Sequence, residues 1–394
     1  MAKRISGAAA LGAAGGAAAV VALGAVGAVA LGTLLARMAV TPAERTQEPV
    51  LVERVERGEG SALVWLHGDD VALPGRYSLL FDQGSGHARL GDIVQRSGGS
   101  VARPVLAVDR GQLRPGARGR ITGWWYTSPE ELGFRTERIT YETELGAAEA
   151  WIVHPRVARK KRWAVHVHGR GARPEETLRG VAPLARAGIT SLVISYRNDA
   201  GAPAGENGRY GMGLSESRDV DAAIAEALAR RGERVTLFGW SMGGTACLVA
   251  ATRGGHREAI DGLILDSPAV DWPALLRHQA GGKRMPGPFA DIGIGLLGRG
   301  YVRGGEPGGL AFETLAPATF ARELAVPVLI HAGEHDTFVP SGPALELARL
   351  RPDTVQVRLQ PTGEHVKLWN TEPEAWERVT EAFARSLSRP AWRG

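Results

Sequence analysis

The pattern of apolar and polar positions changes twice along the chain and divides it into three regions. The first region has no charged residue between Ile5 and Ala36 and is rich in Ala and Gly. In the second, short β-branched and aromatic runs alternate with turns rich in Gly, Asp, Pro and Arg, which predicts a small unit built of strands alone. In the third, apolar runs of strand length alternate with segments of helical character, which predicts a mostly parallel sheet with helices on both faces. The predicted regions are residues 1–40, 41–135 and 136–394.

The uncharged stretch of the first region is longer than the roughly 20 residues that a helix needs to cross a bilayer. It is also longer than the apolar core of a secretory signal peptide. We therefore expect one membrane-spanning helix within residues 1–40, with secretion after signal cleavage as the alternative. Two basic residues precede the stretch, and Arg37 and Arg45 follow it, so the charge bias hardly sets the orientation. Because a tail so short is more readily retained than translocated, we expect a cytoplasmic N-terminus at the cell membrane, with the bulk of the chain on the extracytoplasmic side.

Composition excludes some classes of protein. The net charge is +5, but all but five of the 47 basic residues are arginine and no nucleic-acid-binding module is recognisable, so a nucleic-acid partner is not expected. Cys247 is the single cysteine, which rules out an intramolecular disulfide and a cysteine-based zinc cluster. We expect neither a metal nor an organic cofactor.

The strongest candidate for chemistry is a serine between a strand and a helix. Val235–Phe238 is a short apolar run typical of a buried strand, and Gly239-Trp240-Ser241-Met242-Gly243 follows it directly. Small and apolar residues of helical character come next. G-x-S-x-G in this context is the nucleophile-elbow pattern, in which glycines flank a turn too cramped for side chains. We therefore predict Ser241 to be a nucleophile.

A serine hydroxyl needs an imidazole base that a carboxylate holds in one tautomer. In chain order the acid and then the histidine should follow the serine, at the carboxyl ends of later strands. Asp336 and His365 occupy such positions, after predicted strands Val328–His331 and Thr354–Leu359. Asp266, at the end of an earlier strand, is the alternative acid, although we expect it to bond to backbone instead.

The oxyanion of a tetrahedral intermediate needs two N–H donors. The backbone N–H of Met242 is one candidate, and that of Arg170, in the loop after strand Trp163–Val167, is the other. We expect the Arg170 side chain to face solvent. A Gly/Pro-rich insertion at about residues 272–325 interrupts the alternation of strands and helices, and we predict that it forms a lid over the site.

Together these motifs resemble the α/β-hydrolase superfamily over about Glu137 to Arg389. The matching residues are His168-Gly169-Arg170, the elbow around Ser241, Gly333 with Asp336 and Val339-Pro340, and Gly363 with His365. Within the superfamily the chain looks like bacterial prolyl-oligopeptidase-like and serine-aminopeptidase-like hydrolases. The resemblance implies an α/β-hydrolase fold and hydrolysis of carboxylic esters.

The expected function is therefore that of a membrane-anchored serine hydrolase acting on a small ester or acyl substrate. A serine peptidase and an acyltransferase are the alternatives within enzymes. A catalytically silent binding or scaffold protein is the alternative outside them, and the retained Ser241, Asp336 and His365 weigh against it.

Overall fold

The computed structural model describes residues 27–42, 47–58, 60–158 and 161–387. Two sheets of different construction organise these residues. The first has seven strands, which are β1 Val50–Gly58, β2 Ser61–His67, β3 Tyr77–Phe81, β4 Gly86–Leu90, β5 Gln95–Ser97, β6 Ser100–Arg110 and β7 Arg118–Thr122. The second has eight, which are β8 Arg135–Thr143, β9 Gly146–His154, β10 Arg162–Val167, β11 Thr190–Ile194, β12 Arg234–Trp240, β13 Ile260–Asp266, β14 Val328–Gly333 and β15 Val355–Gln360.

The first sheet closes into a barrel-like unit. Its order is β2-β1-β7-β3-β4-β6-β5, and β2 also pairs with β6, so the ring returns to its starting strand. The pairings are antiparallel, and alternate residues such as Tyr77, Leu79 and Phe81 fill the interior. The all-strand unit predicted from the sequence is therefore present. The last strand of the sheet, β7, ends at Thr122.

The second sheet is mostly parallel, in the order β15-β14-β13-β12-β10-β11-β9-β8. The last two strands form an antiparallel hairpin at one edge. The helices are α1 (residues 27–40), α2 Val181–Arg186, α3 Glu216–Ala229, α4 Met242–Arg253, α5 Trp272–Gly282, α6 Gly287–Gly298, α7 Pro317–Glu323, α8 Gly342–Leu350, α9 Leu368–Thr371 and α10 Pro373–Ser386.

Apolar side chains alternate between the two faces of this sheet. On β12, Leu237 packs into the core that also holds α3 and α4, whereas Phe238 packs into the core that holds α2 and α10. Leu263 and Ile264 alternate in the same way on β13. Burial on both faces explains why these strands are continuous apolar runs, and it confirms the predicted mostly parallel sheet with helices on both faces.

The first helix differs from the sequence prediction. Helix α1 buries Ala36 and Val40 in the hydrophobic core beside the eight-stranded sheet. It crosses α6 closely, since a Cβ added at Gly32 would lie 2.6 Å from the Ile292 Cγ2. No helix of the described residues is both long enough and apolar enough to span a membrane. The predicted membrane anchor is therefore not supported, and residues 1–26, which contain most of it, lie outside the described residues.

The insertion predicted as a lid is mainly helical. It contains α5, α6 and α7, and α5 packs beside α6.

Candidate active site

Ser241 occupies the sharp turn between β12 and α4. Its backbone is left-handed, with φ 51° and ψ −117°, a conformation that costs energy for a residue with a side chain and that recurs at functional sites. The flanking glycines are required by space. A Cβ at Gly239 would lie 2.5 Å from the Gly243 carbonyl oxygen, and one at Gly243 would lie 2.3 Å from that of Val167. The Ser241 N–H donates to the Asp266 carbonyl oxygen at 3.0 Å, which ties the turn to the neighbouring strand.

The structure brings Ser241, His365 and Asp336 into one hydrogen-bonded line. Ser241 Oγ lies 2.9 Å from His365 Nε2, and His365 Nδ1 lies 2.9 Å from Asp336 Oδ2. The other carboxylate oxygen of Asp336 accepts the N–H groups of Phe338 and Val339, both at 2.8 Å. Asp336 thus lies in the turn after β14, and hydrogen bonds hold both of its carboxylate oxygens in place.

Asp266, the alternative acid, is fully engaged elsewhere. Ser267 Oγ donates to its Oδ1 and Trp376 Nε1 donates to its Oδ2, both at 3.0 Å. Burial raises the pKa of this carboxyl to about 6, against the opposing effect of the Arg179 guanidinium. The expectation that the carboxylate bonds to backbone is wrong, because its partners are two side chains.

The loop after β10 passes directly beside the serine. A Cβ added at Gly169 would lie 3.1 Å from the Ser241 Cβ, so only glycine fits here without a shift. The Gly169 carbonyl accepts from Tyr196 Oη at 3.0 Å and lies 2.9 Å from His168 Nδ1. Arg170 follows and lines the same cavity as Ser241. Met242 is the first residue of α4, where helix N–H groups lack partners within the helix.

Two side chains of this loop have definite partners. His168 Nε2 lies 2.8 Å from Asp199 Oδ2. Burial opposes a charge on His168, but the Asp199 carboxylate raises the pKa of this imidazole. Arg170 does not point into solvent as expected: its Nη1 donates to the Ala39 carbonyl oxygen in α1 at 3.1 Å.

Glu176 has a position that the sequence did not reveal. It is buried, and its Oε2 accepts the Gly169 N–H at 2.8 Å. Its Oε1 accepts the indole N–H of Trp124, in the segment after β7, at 3.3 Å. This carboxylate therefore links the barrel to the loop beside Ser241. Nothing in its local sequence signals the contact, since an acidic residue in a first turn is ordinary.

The barrel also contacts the segment that follows His365. Backbone N–H of Arg76 donates to the Asn370 carbonyl oxygen at 3.0 Å, and Asn370 Nδ2 returns a bond to the Arg76 carbonyl oxygen at 2.9 Å. Lys367 Nζ pairs with Asp70 Oδ2 at 2.5 Å. Between the two units lies a cavity of about 550 Å³, lined by Ser241 and His365, by the barrel segment 120–124 and by α5.

A mostly parallel sheet with a serine at a strand-to-helix turn, hydrogen-bonded to a histidine and an aspartate from later strand ends, is the arrangement typical of the α/β-hydrolase fold. The sequence agrees, because residues 164–391 match the alpha/beta hydrolase family. This is more than half of the chain, and the protein belongs to that family. Residues 52–122 match a second family, described as a domain of unknown function.

The chain is similar to several solved structures at low sequence identity. An esterase of Pyrococcus furiosus is 17% identical with a TM-score of 0.50, covering 66% of this chain and 96% of its own. Est1E from Butyrivibrio proteoclasticus is 15% identical with a TM-score of 0.47, covering 64% and 98%. The acylaminoacyl peptidase of Pyrococcus horikoshii is 16% identical with a TM-score of 0.48, covering 86% and 55%. No curated protein matches the sequence significantly.

Proposed function

We propose that the protein is a serine hydrolase that cleaves carboxylic esters through an acyl-enzyme. The observation that supports this most directly is the hydrogen-bonded line from Ser241 Oγ through His365 to Asp336 at a strained elbow. An isolated serine hydroxyl is a weak nucleophile, and a base at 2.9 Å with its own carboxylate partner is what activates it.

In the acylation step, Ser241 Oγ attacks the ester carbonyl carbon while His365 Nε2 accepts its proton. Asp336 stabilises the imidazolium through Nδ1–H and keeps the ring in one orientation. The oxyanion of the tetrahedral intermediate accepts from the backbone N–H groups of Met242 and Arg170. When the intermediate collapses, His365 returns the proton to the departing alkoxide, so an alcohol leaves and the acyl group stays on Ser241.

In the deacylation step, water takes the place of the alcohol. His365 accepts a proton from the water as it attacks the acyl carbon, and the same N–H groups hold the second oxyanion. Collapse restores the Ser241 hydroxyl and releases the carboxylic acid. The site needs no oxidant, reductant or further reactant.

The carboxylates that line the cavity bear on whether the substrate carries a free amino group. An aminopeptidase needs a carboxylate available to pair with the substrate ammonium. Three of the four carboxylates that line the cavity already have partners: Asp70 pairs with Lys367, Glu364 accepts from Thr337, and Glu176 accepts from Gly169. The fourth, Asp69, is exposed and is the group that a substrate ammonium would use.

The test is a substrate panel of p-nitrophenyl esters and aminoacyl p-nitroanilides, with the wild type and Ser241→Ala. The proposal predicts ester hydrolysis that Ser241→Ala lowers by about 10⁵-fold or more. Hydrolysis of the anilides alone would instead indicate a peptidase. Product transfer to an added alcohol in preference to water would indicate an acyltransferase, and a folded wild type inactive on all of them would contradict the proposal.

A location at the cell membrane stays a prediction from the sequence, resting on the uncharged stretch Ile5–Ala36. Protease treatment of intact cells tests it. Digestion of the catalytic domain from outside would support the extracytoplasmic orientation, and full protection would contradict it.

A further inference from the structure

A second cavity of about 450 Å³ lies next to the catalytic cavity, between α1, α5 and α6. Its walls are predominantly apolar, and among the residues that the structure describes no acidic one lines it. The apolar side chains of its three walls include Leu35 and Ala36 from α1, Leu276 and Ala280 from α5, and Ile294 and Leu297 from α6.

The two cavities are neighbours with common walls. Ala39, Leu276 and Phe338 each line both of them, and Arg170 and Thr337 do so as well. The Phe338 ring also lies 4.9 Å from the His365 ring. These shared residues mark where the two cavities meet, and a group attached to Ser241 would have to extend past them to enter the apolar one.

We propose that the second cavity binds the alkyl part of the acyl group, so that the substrates are esters of medium-chain fatty acids. This inference rests on the proposed ester hydrolysis and names its substrate class. A peptide or sugar placed there would leave most of its polar groups without partners, because the polar side chains of the lining are confined to Arg170, Gln279, Lys283 and Thr337. An alkyl chain does not incur that cost. An alkyl chain gains from each methylene that the walls remove from water.

Helix α1 forms one wall of this cavity, so the cavity depends on this helix and not on the sheet alone. The helix is fixed at its C-terminal end, where Arg170 Nη1 donates to the Ala39 carbonyl oxygen at 3.1 Å and the Tyr210 N–H donates to that of Val40 at 2.8 Å. It is fixed further along by the close crossing of Gly32 with Ile292 and Gly293. Because α1 is held in place, its residues at the wall determine which acyl chains fit.

The experiment uses the full chain and compares kcat/KM for p-nitrophenyl acetate, butanoate and octanoate. We expect kcat/KM to rise with chain length by up to about fourfold per methylene buried. Ala39→Phe places a ring where the two cavities meet, and should lower the octanoate-to-acetate ratio by at least about tenfold. The matched control is Ala30→Phe on the same helix, where the side chain is exposed and does not line the cavity.

A variant with the opposite expected effect on chain-length preference shows that misfolding does not explain the result for Ala39→Phe. Ile294→Ala enlarges the cavity from α6 and should move the preferred ester to a longer chain. Acetate hydrolysis that exceeds octanoate hydrolysis in the wild type would overturn the subsite while leaving ester hydrolysis in place. Equal effects of Ala39→Phe and Ala30→Phe would overturn it as well.

Binding to the inactive enzyme separates the subsite from the chemistry. Calorimetry with octanoate and Ser241→Ala should show binding that Ala39→Phe removes and Ala30→Phe retains. This result supports the subsite even if no ester is hydrolysed, in which case only the proposed function fails. Absence of octanoate binding to Ser241→Ala would overturn the subsite.

Discussion

The barrel and the parallel sheet both bury charged side chains, but they use them differently. In the barrel, the fully buried Arg103 donates to the backbone carbonyl oxygens of Val71, Leu73, Gly75 and Gly91. Burial lowers the pKa of this guanidinium to about 10. Buried carbonyl groups without a donor would be costly. The guanidinium supplies those donors and thereby fixes the backbone conformation around it.

In the parallel sheet, buried carboxylates point at groups around Ser241. Asp336 directs His365, and Glu176 accepts from the Gly169 N–H. Asp266 is held by Trp376 and Ser267, and its backbone carbonyl accepts the Ser241 N–H. The difference shows that a buried charge by itself does not mark a site, whereas convergence of several on one nucleophile does.

The two units meet at the site. Trp124 reaches Glu176 from the barrel, and Arg76 exchanges backbone and side-chain bonds with Asn370 just beyond His365. We infer that the barrel positions the loops on both sides of the serine without supplying a catalytic group. The predictions that follow test this division of roles, ordered by their expected effect on turnover.

The largest effect should come from Asp336→Asn. An asparagine cannot stabilise the imidazolium and favours the wrong histidine tautomer, so we expect kcat to fall by about 10⁴-fold. Asp266→Asn is the matched control, since it removes a buried carboxylate at the next strand end. Steady-state ester kinetics on both variants decide between them, and a larger loss for Asp266→Asn would assign the acid to that residue.

A smaller effect is expected for Glu176→Gln. A glutamine has one acceptor oxygen, so it cannot accept from both Gly169 and Trp124, and the loop beside Ser241 loses a charge-assisted bond. We expect kcat to fall by roughly 10- to 100-fold with little change in KM, because positioning of an oxyanion donor matters chiefly in the transition state. Glu175→Gln, one residue away, should keep wild-type kinetics, and an equal loss in both variants would refute the positioning role.

Trp124→Phe tests the same link from the barrel side. It removes the indole N–H and keeps most of the ring, so kcat should fall by about three- to tenfold, in line with loss of one hydrogen bond to a charged group. Trp125→Phe, which alters a ring tilted at 52° against that of Trp369, is the control and should change kcat less. Unchanged turnover in Trp124→Phe would mean that the barrel merely covers the site.

The smallest effect on turnover should come from Arg103→Met, although its effect on stability is large. Several buried carbonyl groups lose their donor, at about 1–3 kcal/mol each, so the free energy of unfolding should fall by roughly 3 kcal/mol or more. Thermal unfolding and kinetics measured on the folded fraction separate the two quantities. Arg96→Met, at an exposed position of the barrel, should change neither. A loss of kcat without a loss of stability would contradict the structural role of Arg103.

Local patterns in the sequence predicted the elements that depend on near neighbours. Strands β12 and β14 contain the predicted runs Val235–Phe238 and Val328–His331. The elbow pattern and the chain order pointed to Ser241, Asp336 and His365. In the structure Ser241 Oγ and Asp336 Oδ2 each lie 2.9 Å from a ring nitrogen of His365. Such features follow from strand, turn and helix preferences and from the topology of a parallel sheet.

Contacts between distant segments could not be predicted in this way. The bond between Trp124 and Glu176 depends on how the barrel docks on the second sheet, and the bond from Arg170 to Ala39 depends on where α1 packs. The uncharged stretch predicted a membrane-spanning helix, yet its described end buries Ala36 in a protein core. Apolar composition alone does not distinguish burial in lipid from burial against another helix.

The most direct test of the central claim is labelling of the full chain with a fluorophosphonate, which reacts with activated serines. The account predicts that the wild type is labelled, that Ser241→Ala is not, and that Asp336→Asn reacts much more slowly. A folded wild type that resists the probe, or a Ser241→Ala variant labelled as strongly as the wild type, would contradict an activated Ser241. The first result would favour a protein that keeps the fold as a binding or scaffold unit, and the second would assign the labelling to a different residue.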